Sequence, residues 1–253
     1  MQSMIFAAGK GTRLKPLTDI LPKALVPVAD KPLLQHVLDR MSEAGAEKVV
    51  VNVHHHARQI VNFVQLAQPS YPYPIAISDE SSLLLETGGA IKKARPLFAG
   101  QDGSIEPVLI HNCDILSNVS LEDFYREACQ KGDAALLVSE RKTSRYLVFS
   151  NDDMRLLGWT NVDTGEVKSP HADIRERIKQ GKARLLAFSG IHVIGPALLA
   201  RMDEEPDVFP IIDFYLRHCA TARIQGITLP GMKLLDVGKL NTLAEAEQFL
   251  EEI

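Results

Sequence analysis

Apolar residues fall along this chain in two alternating spacings. Met4–Ala8, Lys48–Val53, Ile75–Ser78, Val108–His111 and Ala134–Ser139 are short runs with apolar side chains on consecutive positions. Strands covered on both faces have that pattern, as in a parallel sheet packed between helices. Between these runs, Leu33–Ala44, Arg58–Leu66, Thr87–Leu97 and Leu121–Lys131 carry apolar residues at helical spacing, with Phe63 and Leu66 read as core. Strand and helix alternating over residues 1–140 predict a doubly wound, mostly parallel α/β core.

The rhythm changes at Arg141. SRYLVFSNDDMRLLGWTN reads as two strands about a turn at Asn151-Asp152-Asp153, and Trp159 within it reads more readily as core than as a stacking surface. A polar stretch follows, where Arg175-Glu176-Arg177 reads as a solvated helix face. A buried strand returns at 185–194, then helices at Pro196–Met202 and Phe209–Cys219, a strand near Arg223–Thr228 and a last helix near Asn241–Glu252. Leu198 and Leu199 are expected in the core. Residues 1–253 therefore read as one domain, with a small antiparallel lobe at 141–195 and a return to the core over 196–253.

Composition sets limits. Lys and Arg number 28 against 32 Asp and Glu, a formal charge of −4, so there is no global basic excess to hold a nucleic acid. Cys113, Cys129 and Cys219 are widely spaced with no CxxC, which fits a reducing compartment better than a disulfide framework or a zinc site. No run approaches the roughly 18 apolar residues of a membrane span, and the N-terminal apolar run is too short for a signal peptide. A cytoplasmic protein without nucleic-acid or membrane partners is expected; whether it forms a homo-oligomer is left open.

The segment GKGTRLKPLTDILPKALVPV, residues 9–28, follows the first strand and has neither period. Ligands of doubly wound sheets bind beyond the carboxyl ends of the strands, which is where Gly9 and Gly11 fall. Glycines let successive N–H groups turn toward an anion, Arg13 offers forked donors and Lys23 a mobile point charge. Phosphate is the expected ligand; a tight turn with solvated lysines is the alternative. The spacing is neither GxGxxG nor a P-loop, and Val53 leads into His54-His55-His56 rather than an acidic residue, which disfavours a NAD-dependent dehydrogenase. Those histidines diverge as neighbours in a chain must, so they read as a loop bordering the pocket rather than a metal cluster. Asp114 and Asp236 each end a strand-like run, where their oxygens suit Mg²⁺, although aspartates there also serve as turn or cap residues.

AAGKGTRLKPLTDILPKALVPVADKPLL resembles the signature of the sugar-1-phosphate nucleotidyltransferases, GxGTRxxPLT…PKxLxPVxxKP. ETGGAI at 86–91, HNCD at 111–114 and LLDVGKLNTLAEAE at 234–247 follow in the family's order, and the resemblance is weakest between 141 and 183. AAGKG, ETGG and FSGI look most like the branch that uridylylates N-acetylmuramate-1-phosphate.

The resemblance implies a Rossmann-like core with a sugar-binding lobe. It also implies transfer of a nucleotidyl group from an NTP, UTP favoured, to a sugar-1-phosphate, with Mg²⁺ as cofactor and pyrophosphate as leaving group. Ala8, Gly9, Gly11, Thr12 and Arg13 would hold the triphosphate, with Arg13 over the departing pyrophosphate. Lys23 would bridge the α-phosphate and the sugar phosphate, and Asp114 and Asp236 would bind the metal. Asn112 is expected at nucleotide or sugar, although Cys113 stands where the family usually has glycine. Glu80 and Gly88 are expected at the base, and Ser189 and Gly190 at the sugar; a permissive helix start and simple packing are the alternatives for the glycines. A guanylyl- or cytidylyltransferase for heptose, mannose or phosphocholine would share the phosphate machinery. A non-catalytic nucleotide-sugar-binding subunit would not require Arg13, Lys23, Asp114 and Asp236 together.

Overall fold

A computed structural model describes residues 1–253. β1 (Gln2–Phe6) leads into a long loop carrying the two-residue strands β2 (Pro27–Val28) and β3 (Lys31–Pro32). Then come α1 (Leu33–Glu43), β4 (Lys48–Val53), α2 (Ala57–Ala67), β5 (Ile75–Asp79), α3 (Glu86–Ala94), β6 (Val108–Asn112), β7 (Ile115–Ser117), α4 (Leu121–Lys131) and β8 (Ala134–Ser139). The lobe comprises β9 (Arg145–Ser150), β10 (Leu156–Asn161), β11 (Glu166–Lys168) and α5 (Ile174–Lys179). The chain returns through β12 (Ala183–Ile194), α6 (Pro196–Ala200), α7 (Ile211–His218), β13 (Ile224–Ile227), β14 (Leu234–Asp236) and α8 (Leu240–Glu251).

Consecutive apolar residues in β1, β4 and β6 enter opposite layers. Met4, Val50 and Ile110 join Ile91 of α3, Leu198 and Leu199 of α6 and Phe214 of α7. Ile5, Val49 and Leu109 join Leu38 of α1, Ile60 of α2 and Phe124 of α4 on the other side. Full burial of each such side chain contributes about 1.5–3 kcal/mol, so a sheet dry on both faces is the stable arrangement for these runs. β5, β4, β1 and β6 are parallel and β13 is parallel to β8, while β12, inserted between β6 and β8, runs against both. The fold is the expected α/β one with a mostly parallel sheet. Leu66 departs from expectation: it is 83% exposed. The buried stripe of α2 is Ile60 and Val64 with Phe63 at its margin, and Leu66 falls off that stripe.

β12 joins the lobe's strands to the core's in one ten-stranded sheet. Its first residues, Ala183–Leu186, pair with β9 in the lobe, and Ile191–Ile194 pair with β6 in the core. Its register against β8 shifts between Phe188 and His192, and Gly190 in that interval takes φ 75°. Only glycine adopts that conformation freely. The lobe's own core is small, Val148, Leu157 and Ile174. Trp159 is half-buried rather than fully in the core, with one side against the main cluster.

A separate apolar cluster fixes the long loop. Leu14, Val26 and Val28 pack with Leu116, Val237 and Ala246, so α8 and the paired strands β7 and β14 clamp the loop after β1. No helix is long and apolar enough to cross a membrane.

Candidate active site

Phe6 and Asn112 are paired residues at the ends of neighbouring parallel strands. The loop leaving β1 and the Asn112–Asp114 step therefore share one end of the sheet. Behind them lies a buried polar chain. The Ala7 N–H donates to Asn52 Oδ1 at 2.8 Å, Asn52 Nδ2 donates to Glu80 Oε1 at 2.7 Å, and the Leu85 N–H donates to Glu80 Oε2 at 3.2 Å. Glu80 is fully buried, and that burial raises its pKa against the donors that favour the carboxylate. Ala8, Gly9, Lys23, Glu80, Asn112 and Asp114 together border a cavity of about 230 Å³.

Gly11 has φ 61°, and a Cβ there would fall 2.8 Å from Thr18 Cγ2 and 2.9 Å from Lys23 Cβ. Its carbonyl accepts from Thr18 Oγ1 at 2.8 Å. The glycine thus lets the loop fold back far enough to turn Lys23 inward. Lys23 is nearly buried and its Nζ is ion-paired with Asp114 Oδ2. Thr12 and Arg13 open a short 3-10 turn and stay exposed, while Leu14 of that turn is anchored in the clamp.

β14 pairs with β7, and the Val237 N–H donates to the Asp114 carbonyl at 2.8 Å, which brings the two aspartates side by side. Asp236 Oδ1 is buried and has no hydrogen-bond partner. Burial and the charge of Asp114 raise the Asp236 pKa, with Lys23, Arg13 and Arg141 opposing. A Cβ on Gly238 would lie 2.6 Å from Asp236 Oδ1 and 2.8 Å from Arg13 Nη2, so guanidinium and carboxylate converge on a position that only glycine leaves clear. No third His, Cys, Asp or Glu gathers with these aspartates. Two carboxylates with an unsatisfied oxygen fit Mg²⁺, which completes its shell with water and phosphate.

The remaining expected residues divide. Asn112 lines the cavity; Gly190 lies against it, since a Cβ there would fall 2.7 Å from Asn112 Nδ2. Ser189 is fully buried with its hydroxyl unpartnered. Gly88 is committed to packing: its N–H donates to the Phe209 carbonyl at 2.8 Å, and a Cβ would fall 2.2 Å from the Phe209 ring. The absent side chain there admits Phe209, not a base. Cys113 is buried and its thiol is pushed up to about 12 by that burial. His54 Nδ1 donates to the Glu80 carbonyl at 2.7 Å and His55 Nε2 to Thr18 O at 3.3 Å, so both serve the loops around the cleft.

A second cavity, about 1090 Å³, opens between the lobe and the C-terminal segment. Arg13 and Asp236 border it, as do Arg141, Arg145, Trp159 and Lys239, none of which the loop chemistry singles out. Lys239 sits inside the LLDVGKLNTLAEAE motif, the one sequence signal available for it.

Residues 2–169 match the sequence pattern described as nucleotidyl transferase. The chain is 34% identical over 252 residues to N-acetylmuramate alpha-1-phosphate uridylyltransferase of Caulobacter vibrioides, covering 99% of this chain and 97% of that one. It is 30% identical over 249 residues to the enzyme of the same name from Neisseria meningitidis serogroup B, covering 98% and 97%. The crystal structure of a putative glucose-1-phosphate thymidylyltransferase from Bacillus anthracis superposes with TM-score 0.77 at 16% identity, covering 100% of this chain and 96% of the other. This chain belongs to the nucleotidyl transferase family, among its sugar-1-phosphate nucleotidyltransferases.

Proposed function

We propose that this protein transfers a uridylyl group from UTP to a sugar-1-phosphate, releasing pyrophosphate and a UDP-sugar, with Mg²⁺ held by Asp114 and Asp236. The observation that carries the reading is the buried, unpartnered Asp236 Oδ1 beside Asp114, Lys23 and Arg13 at the end of the sheet. A subunit that only bound nucleotide sugars would have no use for an exposed loop arginine and a buried lysine converging on two carboxylates.

In this reading the backbone from Ala8 to Thr12 cradles the triphosphate through N–H groups freed by Gly9 and Gly11. Arg13 faces the pyrophosphate as it departs, and Lys23 neutralises the α-phosphate and the incoming sugar phosphate. Bound between the aspartates, Mg²⁺ would offset charge on the phosphate oxygens during transfer. The attacking group is the sugar phosphate itself, so in-line positioning and charge neutralisation suffice and no protein nucleophile is required. Burial agrees with that: the Cys113 thiol titrates near 12, and buried His111 is lowered to about 4, so neither supplies a thiolate or an imidazolium at neutral pH. Glu80 acts from behind, holding Asn52 and the Leu85 amide so that the wall of the base cavity keeps its shape.

The relatives at 30% identity or more are named as uridylyltransferases, which favours UTP, while those at 26–28% are named as mannose-1-phosphate guanylyltransferases, which keeps GTP as the alternative. Because the phosphate loop touches groups common to all NTPs, discrimination falls to polar groups on the base edge, worth about ten- to a hundredfold. Steady-state rates with UTP, GTP, CTP and ATP, following pyrophosphate release across a set of sugar-1-phosphates, test it. UTP is expected to exceed GTP at least tenfold in kcat/KM. A GTP or CTP preference would overturn the uridylyl reading.

A further inference from the structure

His54-His55-His56 has no part in the transfer chemistry proposed above. The three residues form the turn between β4 and α2, and neither His54 nor His55 borders the small cavity or the large one. A carbonyl oxygen only accepts, so each hydrogen bond to one requires a proton on the ring nitrogen that makes it. His54 carries a proton on Nδ1, which donates to the Glu80 carbonyl at 2.7 Å. His55 carries one on Nε2, which donates to the Thr18 carbonyl at 3.3 Å. Successive residues thus reach two different walls of the cleft, each with the opposite ring nitrogen.

What the two carbonyls hold differs. Thr18 is buried, and its hydroxyl donates to the Gly11 carbonyl at 2.8 Å. Gly11 in turn lies so close to Lys23 that a Cβ on it would fall 2.9 Å from Lys23 Cβ. Gln59, in the first turn of α2, donates to the Ile20 carbonyl at 3.0 Å and holds the same returning limb of the loop after β1. His56 takes φ 53° as the chain turns into α2, and its ring centroid lies 4.0 Å from that of His55, which limits how far His55 can swing. On the other side, the Glu80 N–H donates to the Val53 carbonyl at 2.8 Å, and the Glu80 carboxylate holds Asn52 and the Leu85 amide. Asn52 already ties Ala7, where the loop begins, to Glu80. The histidines tie the returning limb to the same residue, so the loop is fastened to the base-side wall at both ends.

We propose that His54 and His55 are positioning residues that act as a single tie between the base-side wall and the loop after β1, so that the base and the triphosphate of a nucleotide bind cooperatively. The inference rests on the transferase reading for the identity of the ligand and adds how the ligand's two ends are coupled. A base seated against the Glu80 wall orders Glu80, and the histidine pair passes that order to Thr18, Gly11 and Lys23. Both histidines act through the backbone of other residues, and neither touches the ligand. Two links in series carry one coupling. Cutting either opens the tie, and cutting both removes nothing more.

Isosteres separate this role from plain packing. Asn places an amide N–H where His has Nδ1, and Gln places one where His has Nε2. Calorimetry with Mg²⁺ and the preferred NTP, UTP in the present reading, measures affinity without an acceptor. His54→Asn and His55→Gln should keep that affinity within about twofold of the parent. His54→Gln, His55→Asn and both alanine variants are expected to weaken it about fivefold or more. The chain carrying both alanines should lose no more than either single variant, whereas independent supports would multiply to about twenty-fivefold. KM for the sugar-1-phosphate is expected to stay unchanged. The Asn and Gln set decides the matter even where an alanine variant fails to fold. Unaltered affinity in the mismatched variants, a rescue that ignores which isostere is used, or losses that multiply would each overturn the tie while leaving transfer intact. NTP binding with this pattern but no transfer to any acceptor would instead leave the tie standing and remove the transferase reading. A parent chain that binds none of the four NTPs overturns both.

Discussion

Lys23 Nζ is ion-paired with Asp114 Oδ2, although the two side chains serve different partners in the proposed reaction, a phosphate and a metal. The pair is held with both side chains largely out of solvent, 11% and 15% exposed. On that proposal, Lys23 has to leave Asp114 before it reaches a phosphate. Removing it frees Asp114 beside an already unsatisfied Asp236. Lys23→Ala is therefore expected to bind Mg²⁺ alone about tenfold more tightly in calorimetry without nucleotide, since one close charge pair is worth about 1 kcal/mol or more. Turnover should fall about a hundredfold or more, and Lys23→Arg should not restore it, because a planar fork does not replace a point charge in a closed pocket. Unchanged or weaker Mg²⁺ binding would contradict this.

Asp236 separates stability from activity. Burial and Asp114 raise its pKa in the fold, so the ionised form is disfavoured there relative to the unfolded chain. Such a group favours folding while protonated, below the ordinary carboxylate range, and that contribution is lost as pH rises through its folded pKa. At neutral pH, Asp236→Asn should thus raise Tm while costing about a hundredfold or more in turnover. A variant that melts earlier, or one that turns over normally, would count against the site.

Arg13 is exposed, and its guanidinium reaches the cleft beside Gly238 and Asp236. Arg13→Ala should raise KM for the NTP and slow pyrophosphate departure without changing Tm, leaving KM for the sugar phosphate nearly unaltered. Equal, small changes in both KM values would mark a solvated loop residue.

Gly88 illustrates where residue chemistry misleads. As a base-facing glycine, its replacement by valine would block every NTP in a stable protein. The Phe209 ring and carbonyl occupy the space instead, so the side chain has to displace backbone. Gly88→Val is expected to destabilise the fold by about 1–3 kcal/mol, read as a fall in Tm, since overpacking forces strain on its neighbours. An undisturbed Tm with lost NTP binding would restore the base-slot reading.

The core was legible because its strands are apolar on consecutive positions and its helices carry a clear stripe. Met4, Ile5, Val49 and Val50 announce a sheet dry on both sides. That residues 9–28 leave both spacings was legible too, and the chain there is the long loop after β1. What pairs with what was not. Nothing near Ala183–Ile194 signals that one strand leaves the lobe, enters the core antiparallel and separates β6 from β8. β7 has three residues, too few for a period to register, yet its pairing with β14 brings Asp236 beside Asp114. Trp159 was ambiguous for the same reason. Its alternation fits a strand, and which face met the cleft depended on β11 and the C-terminal segment folding around it.

The account stands on transfer between two substrates in this one cleft. Phosphorus NMR of the protein with UTP, Mg²⁺ and each acceptor in turn follows every phosphorus species at once. With an accepted sugar-1-phosphate, pyrophosphate and UDP-sugar should appear in equal amounts, and nothing should change when either substrate is left out or EDTA is added. Release of inorganic phosphate from UTP without the sugar phosphate, or no pyrophosphate with any acceptor, would contradict it.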